Sequence, residues 1–192
     1  MKISKTQRTI IELLAIGAII LTLKLTGKLP EVIGFAQNLV LKTGLVRPST
    51  KIDDNEKGLA DLNFKLIDME GNIHNASDFS GKTLFINFWA TWCPPCIAEM
   101  PEIQSLYNGI DKNKVAFIMI SMDENEEKLR KFIAKKNYTM PVYRLASPIT
   151  STFEFQSIPT TFIISPSDKI ISKEVGIRSY NTKSFKEFLE DN

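Results

Sequence analysis

The stretch from Thr83 to Trp89, Thr-Leu-Phe-Ile-Asn-Phe-Trp, is apolar without clear alternation, and within a few residues it gives way to Cys93-Pro94-Pro95-Cys96. A short apolar run of this kind is the pattern of a central strand buried on both faces. The next segment, Pro94 to Tyr107, places Ile97, Met100, Ile103, Leu106 and Tyr107 along one helical face. The two thiols therefore sit where a buried strand passes into a helix. There the free amides and the macrodipole favour a thiolate.

Cys93 and Cys96 are the only cysteines in 192 residues. A pair three apart closes too short a loop to restrain the unfolded chain much, so the pairing points to chemistry over stapling. Structural zinc needs four ligands, and this chain adds one histidine, His74, to its two thiols; zinc is disfavoured unless a second chain supplies ligands. A peroxidase is the other competitor, but the paired spacing favours disulfide exchange. Cys93, at the helix N-cap, is the candidate nucleophile. Cys96, one turn deeper, is the candidate resolving thiol. Pro94 and Pro95 suit the first helical positions, yet they withhold two amides from the Cys93 thiolate. With no histidine between the cysteines, the expectation is a modestly lowered Cys93 pKa and a reducing pair.

Glu99, three residues beyond Cys96, falls on the same side of the helix and is the candidate for proton exchange with it; an exposed acid near a helix start is the plainer alternative. Ile158-Pro159-Thr160 precedes a strand, where Pro159 suits a cis bond and Ile158 could pair with an extended substrate. Trp89 reads as core, Trp92 as part of a contact surface for substrate proteins, and His74 as structural or solvent-facing. The charged run Asp123–Lys136 reads as a solvated helix face, and Pro101 as a bend in its helix.

Ahead of this domain the chain divides into a basic leader (1–8), an apolar segment (9–26), an amphipathic segment (27–46) and a polar linker (47–60), with the globular part at 61–192. Thr9–Thr26 as a helix would rise about 27 Å, slightly short of a hydrocarbon core of roughly 30 Å. No small-x-small cleavage site follows it, so it is expected to be an uncleaved, single-pass transmembrane signal-anchor. The amphipathic segment is expected to lie on the membrane surface or to pack on the domain. A formal net charge of +2, from 24 basic and 22 acidic side chains, gives no electrostatic case for nucleic acid.

Within the globular part, strands are expected at Asn63–Asp68, Ile73-His74, Thr83–Trp89, Val115–Ile120, Val142–Leu145, Thr160–Ile164 and Ile170–Val175. Helices are expected at Pro94–Tyr107, Glu124–Lys136, Ile149–Phe155 and Ser184–Glu190. The order implies an α/β domain with a mixed central sheet and helices on both faces.

With Phe-Ile-Asn-Phe-Trp-Ala-Thr-Trp-Cys-Pro-Pro-Cys, Glu99, Pro101 and Ile158-Pro159-Thr160, the sequence resembles the thioredoxin superfamily. Within it, the resemblance is to the membrane-anchored TlpA/ResA-like thiol-disulfide oxidoreductases of bacteria, and it spans roughly Leu62 to Leu189. It implies a thioredoxin-like fold with an added N-terminal β-hairpin, an exposed attacking Cys93, a resolving Cys96, a redox-active Cys93–Cys96 disulfide, a cis Pro159 and an active-site role for Glu99. Asn87 stands where ordinary thioredoxins carry a buried aspartate, a departure usual in this group. The resemblance further implies no cofactor and a domain on the extracytoplasmic (periplasmic) side of the cytoplasmic membrane. There it would reduce protein disulfides with electrons from a membrane partner of the CcdA/DsbD type, cytochrome c maturation being one such role. A thiol oxidant aiding the folding of secreted proteins, or a tethered redox-sensing or binding module without turnover, are the alternatives.

Overall fold

The computed structural model describes residues 4–29, 32, 33, 37, 41, 46–50 and 58–192. Helix α1 spans Lys5–Leu25. It starts earlier than the apolar pattern because Ser4 and Gln7 form a reciprocal capping box, each side chain taking the other's amide. All its residues are exposed except the half-buried Leu23. Among the described residues no helix is long and apolar enough to cross a membrane; Lys5, Arg8 and Glu12 lie in the first half of α1 and Lys24 at its end. Most of the expected amphipathic segment 27–46 lies outside the described residues. The expected linker touches the domain at both of its described ends. Ser49 N–H donates to Glu174 Oε1 at 2.7 Å and Ala60 N–H to the Asp168 carbonyl at 2.7 Å.

The remaining elements are β1 (Lys65–Asp68), β2 (Ile73–Asn75), β3 (Thr83–Trp89), α2 (Pro94–Gly109), β4 (Val115–Ser121), α3 (Glu126–Lys136), β5 (Val142–Leu145), β6 (Thr160–Ile164), β7 (Ile170–Val175) and α4 (Lys183–Asp191), with short 3-10 turns at Ala76–Phe79 and Ser151–Phe153. The second of these turns replaces the longer helix expected at Ile149–Phe155. All seven strands form one sheet in the order β2-β1-β5-β4-β3-β6-β7. β3 pairs parallel with β4 along its whole length, Thr83 opposite Val115 through Trp89 opposite Ser121. On its other side β3 pairs antiparallel with β6. β5 continues the parallel part, and β1 adds to β5 antiparallel, carrying β2 with it. This is the added hairpin. Its turn is closed by the Asp68 carboxylate, which accepts the amides of Glu70 and Asn72 and faces His74 Nε2 at 2.8 Å.

Alternation along β3 divides the core. Phe85 and Trp89 point to a layer shared with Met100, Ile103 and Leu106 of α2, Leu129 of α3 and Phe185 and Leu189 of α4. Leu84, Ile86 and Phe88 point the opposite way, to Phe64, Phe153 and Phe162. The three helices of the domain thus contribute to one core face, whereas the sequence leads one to expect helices on both. The reason is topological: the crossovers β3-α2-β4 and β4-α3-β5 step in the same direction, and right-handed connections then put both helices on the same side. The other face is closed by the chain from Ala60 to Phe64, the two 3-10 turns and a cluster of phenylalanines. Burying side chains such as Phe85 and Phe88 contributes roughly 1.5–3 kcal/mol each.

Candidate active site

β3 ends at Trp89, and three residues later the chain turns into α2 with Cys93 as its N-cap, in extended conformation (φ −96°, ψ 104°). Pro94 and Pro95 occupy the first two helical positions. Their fixed φ suits a helix start and their missing amides leave no bond unmet. The Cys96 N–H points back at Cys93 Sγ at 3.3 Å. Cys93 and Cys96 are joined as a disulfide with Cα atoms 5.3 Å apart. Cys96 is wholly buried. Cys93 retains 4% of its surface, so the attacking thiol expected to be exposed instead sits at the floor of a groove, open along one edge. α2 runs on through Pro101 to Gly109.

The loop before Cys93 is held from below. Ser121 ends β4 opposite Trp89, and two residues on, the buried Asp123 accepts from the Thr91 amide at 2.9 Å, the Thr91 hydroxyl at 2.6 Å and the Ser121 hydroxyl at 2.8 Å. Asp123 therefore departs from the solvated helix face expected for the charged run. It is a fixed acceptor beneath the Ala90-Thr91-Trp92 turn, and α3 begins only at Glu126, capped by Asn125.

The Ile158–Pro159 peptide is cis. It closes a turn in which the Thr160 hydroxyl donates to the Ser157 carbonyl at 2.7 Å and the Gly176 amide to the Pro159 carbonyl at 2.9 Å. The Ile158 carbonyl oxygen lies 3.6 Å from Cys93 Sγ. Trp92, Met122, Phe155 and Ile158, with Cys93, line an open groove of about 660 Å³. Trp92 stands at its rim, 60% exposed. Cys93, Cys96, Trp92, Ile158 and Pro159 are thus brought together; His74 is not, being bound to Asp68 in the hairpin.

Glu99 is fully buried, which removes the exposed-acid alternative. Its Oε1 accepts from Asn87 Nδ2 at 3.0 Å, while Oε2 has no partner among the described residues. Loss of hydration pushes the carboxyl up to about 8, against the opposing pull of the Asn87 amide and of the Arg178 amide and charge. At neutral pH and with the disulfide closed, Glu99 holds a proton. Sequence reasoning does not reach Asp123, Thr161, Arg178 or Tyr180. Only the Ser121-x-Asp123 pairing at a strand end offers a local signal.

The AhpC/TSA family pattern matches residues 59–173. The chain belongs to that family. It is 34% identical over 128 residues to the thiol-disulfide oxidoreductase ResA of Bacillus thuringiensis subsp. konkukian, covering 66% of this chain and 74% of that protein. To the ResA of a Bacillus cereus strain it is 34% identical over 115 residues, covering 59% of this chain and 66% of the relative. Between about a quarter and a third of these relatives' length thus lies outside the match. In fold it is similar to StoA from Bacillus subtilis (TM-score 0.53, 23% identity, 65% of this chain and 94% of that one). A thiol:disulfide interchange protein from a Bacteroides species is also similar (TM-score 0.60, 22% identity, 71% and 93%). Within the family this chain is a thiol-disulfide oxidoreductase of the thioredoxin-like, ResA-like kind.

Proposed function

We propose that the enzyme works as a reductase of protein disulfides, held by α1 at the extracytoplasmic face of the cytoplasmic membrane. The observation that carries the direction is the spare donor set around Cys93. Among the described residues one backbone amide, that of Cys96, reaches Cys93 Sγ, and Pro94 and Pro95 can supply none. A thiolate so little stabilised leaves the dithiol form weakly favoured over the disulfide, which makes the pair a reductant.

The cycle follows from the geometry. In the reduced protein, the Cys93 thiolate attacks a substrate disulfide lying in the groove and expels one substrate thiolate. Glu99, in its ionised form, takes the proton of Cys96. The Cys96 thiolate then attacks Cys93 Sγ, closes the Cys93–Cys96 disulfide and expels the second substrate thiolate. The substrate gains two electrons and, from solvent, two protons; the enzyme loses two electrons and its two thiol protons, one of them kept on Glu99. Recharging runs in reverse. A dithiol donor attacks Cys93, Cys96 leaves as a thiolate, and buried Glu99 returns the proton. A membrane dithiol partner of the CcdA/DsbD type fits that step, and the haem-attachment cysteines of apocytochrome c fit the substrate class.

Tethering is supported by the large apolar side chains exposed along α1, among them Ile10, Leu13, Leu14, Ile16, Ile19 and Leu21. The uncharged stretch from Leu13 to Leu23 rises only about 16 Å at 1.5 Å per residue. A full crossing therefore requires Glu12 to reach one headgroup region and Lys24 to snorkel to the other. Alkaline extraction of membranes carrying the full chain should leave it in the pellet, and Ile16→Lys combined with Ile20→Lys should release it. Release of the unaltered chain would refute the anchor.

Equilibration with thiol buffers tests the direction. A potential near about −270 mV is expected on a scale that reaches about −120 mV for strong oxidants; a value at the oxidising end would make the protein an oxidant. Cys96→Ser should accumulate mixed disulfides with substrate proteins through Cys93. Absence of any such adduct, together with no disulfide reductase turnover, would point to a sensing module.

A further inference from the structure

Glu99 is the end of a longer buried chain of polar side chains that spans two strands and the segment after β7. Tyr180, fully buried against Phe85, donates its hydroxyl proton to Thr161 Oγ1 at 2.7 Å. Thr161, on β6 opposite Asn87 on β3, also accepts from Asn87 Nδ2 at 2.9 Å. The second proton of that amide goes to Glu99 Oε1 at 3.0 Å. Donor and acceptor counting then leaves little freedom. Both amide protons of Asn87 are committed, and both lone pairs of Thr161 Oγ1 are filled. Within this chain of side chains the oxygens left over are Asn87 Oδ1 and Glu99 Oε2. A proton on Oε1 would confront the Asn87 N–H aimed at it.

We propose that Thr161, held by the Tyr180 hydroxyl, is a positioning residue that fixes the Asn87 amide and thereby assigns the exchangeable proton of Glu99 to Oε2. This rests on the reading of Glu99 as the proton partner of Cys96. The step it serves is balanced: Cys96–SH and ionised Glu99 become Cys96 thiolate and Glu99 carboxylic acid, with the arriving proton on Oε2 and Oε1 remaining an acceptor. Among the described residues the polar, charged and titratable groups around Glu99 are few. Asn87 faces it from β3, the Arg178 amide and guanidinium and the Tyr180 phenol from the segment after β7, and the dithiol shares its helix. Arg178 is itself paired with Glu174 of β7 at 2.8 Å. Loosening the Asn87 donor weakens support for the ionised carboxylate, so the proton is held more tightly and Cys96 is activated only at higher pH.

The test uses the full chain carrying an aromatic thiol, thionitrobenzoate, as a mixed disulfide on Cys93, and follows its release by Cys96 against pH. Glu99→Gln should abolish the ionisation seen in the wild-type profile. Thr161→Val should move it upward by about one unit, an approximately tenfold slower release below it. Tyr180→Phe should move it the same way by less, and Thr161→Ser should restore it. A wild-type profile in both Thr161→Val and Tyr180→Phe, with Glu99→Gln still altered, overturns the positioning role and leaves Glu99 standing. A wild-type profile in Glu99→Gln overturns the Glu99 reading and this proposal with it. Should Thr161→Val fail to fold, Tyr180→Phe decides: an unshifted profile overturns the proposal and an upward shift supports it.

Discussion

Asp123 and Thr91 are joined twice: the Thr91 amide donates to Oδ2 at 2.9 Å and the Thr91 hydroxyl to Oδ1 at 2.6 Å. A carboxylate gripping amide and hydroxyl of one residue fixes both its backbone and its χ1, and Thr91 is two residues from Cys93. Asp123→Ala would leave the Thr91 donors and the Ser121 hydroxyl unmet in a nearly dry site, with a stability loss of about 3 kcal/mol. Urea unfolding measures that loss. Because the Cys93 N-cap depends on this turn, thiol-disulfide exchange at a fixed fraction folded should also slow, and Asp123→Asn should fall between the two.

Glu99 makes stability depend on pH with a definite sign. Its carboxyl keeps a proton up to about 8 in the folded, oxidised protein, against an ordinary value of 4.5 in water. Between those limits the folded state binds more protons than the unfolded one, so stability falls as pH rises. The contribution is fully present below about pH 4.5 and lost through pH 8, on the order of 5 kcal/mol in all. Denaturant midpoints of the oxidised protein from pH 5 to pH 8 should therefore decline, and Glu99→Gln should flatten the decline. An equal slope in the variant would assign it to other groups.

Trp92 is exposed at the groove rim, so Trp92→Ala should change unfolding free energy by no more than about 0.5 kcal/mol. Its indole nevertheless offers a large exposed apolar surface to a docking chain. kcat/KM for a protein disulfide should drop about fivefold or more, while that for a small soluble disulfide should hold. A parallel loss on both substrates would place Trp92 in the chemistry instead of recognition.

Much of the architecture is legible in the sequence because apolar runs bounded by turn residues name buried strands. Thr83–Trp89, Val142–Leu145, Thr160–Ile164 and Ile170–Val175 coincide with the observed bounds. Strand β1 starts at Lys65, later than the apolar pattern suggests, because Leu62 to Phe64 is tied into a tight turn, with the Phe64 amide donating to the Leu62 carbonyl. The dithiol and the cis Pro159 turn are readable from local chemistry: strand end, helix start, proline before a strand. What covers a residue is not. The spacing puts Glu99 beside Cys96 but cannot show that Arg178 and Tyr180, some eighty positions on, seal it from water. Asp123 is hidden for the opposite reason, since a buried acceptor at the edge of a charged run looks like one more solvated acid.

Cys96 and Glu99 ride on one helix, three residues apart, whereas Ile158 and Phe155 belong to loops on the far side of the groove. The thiol and its proton store therefore move as one rigid body. Remodelling the loop from Phe155 to Ile158 alters which chains can dock, yet it leaves the distance between sulfur and carboxyl untouched. Substrate range can drift in such a molecule while its acid-base timing stays constant.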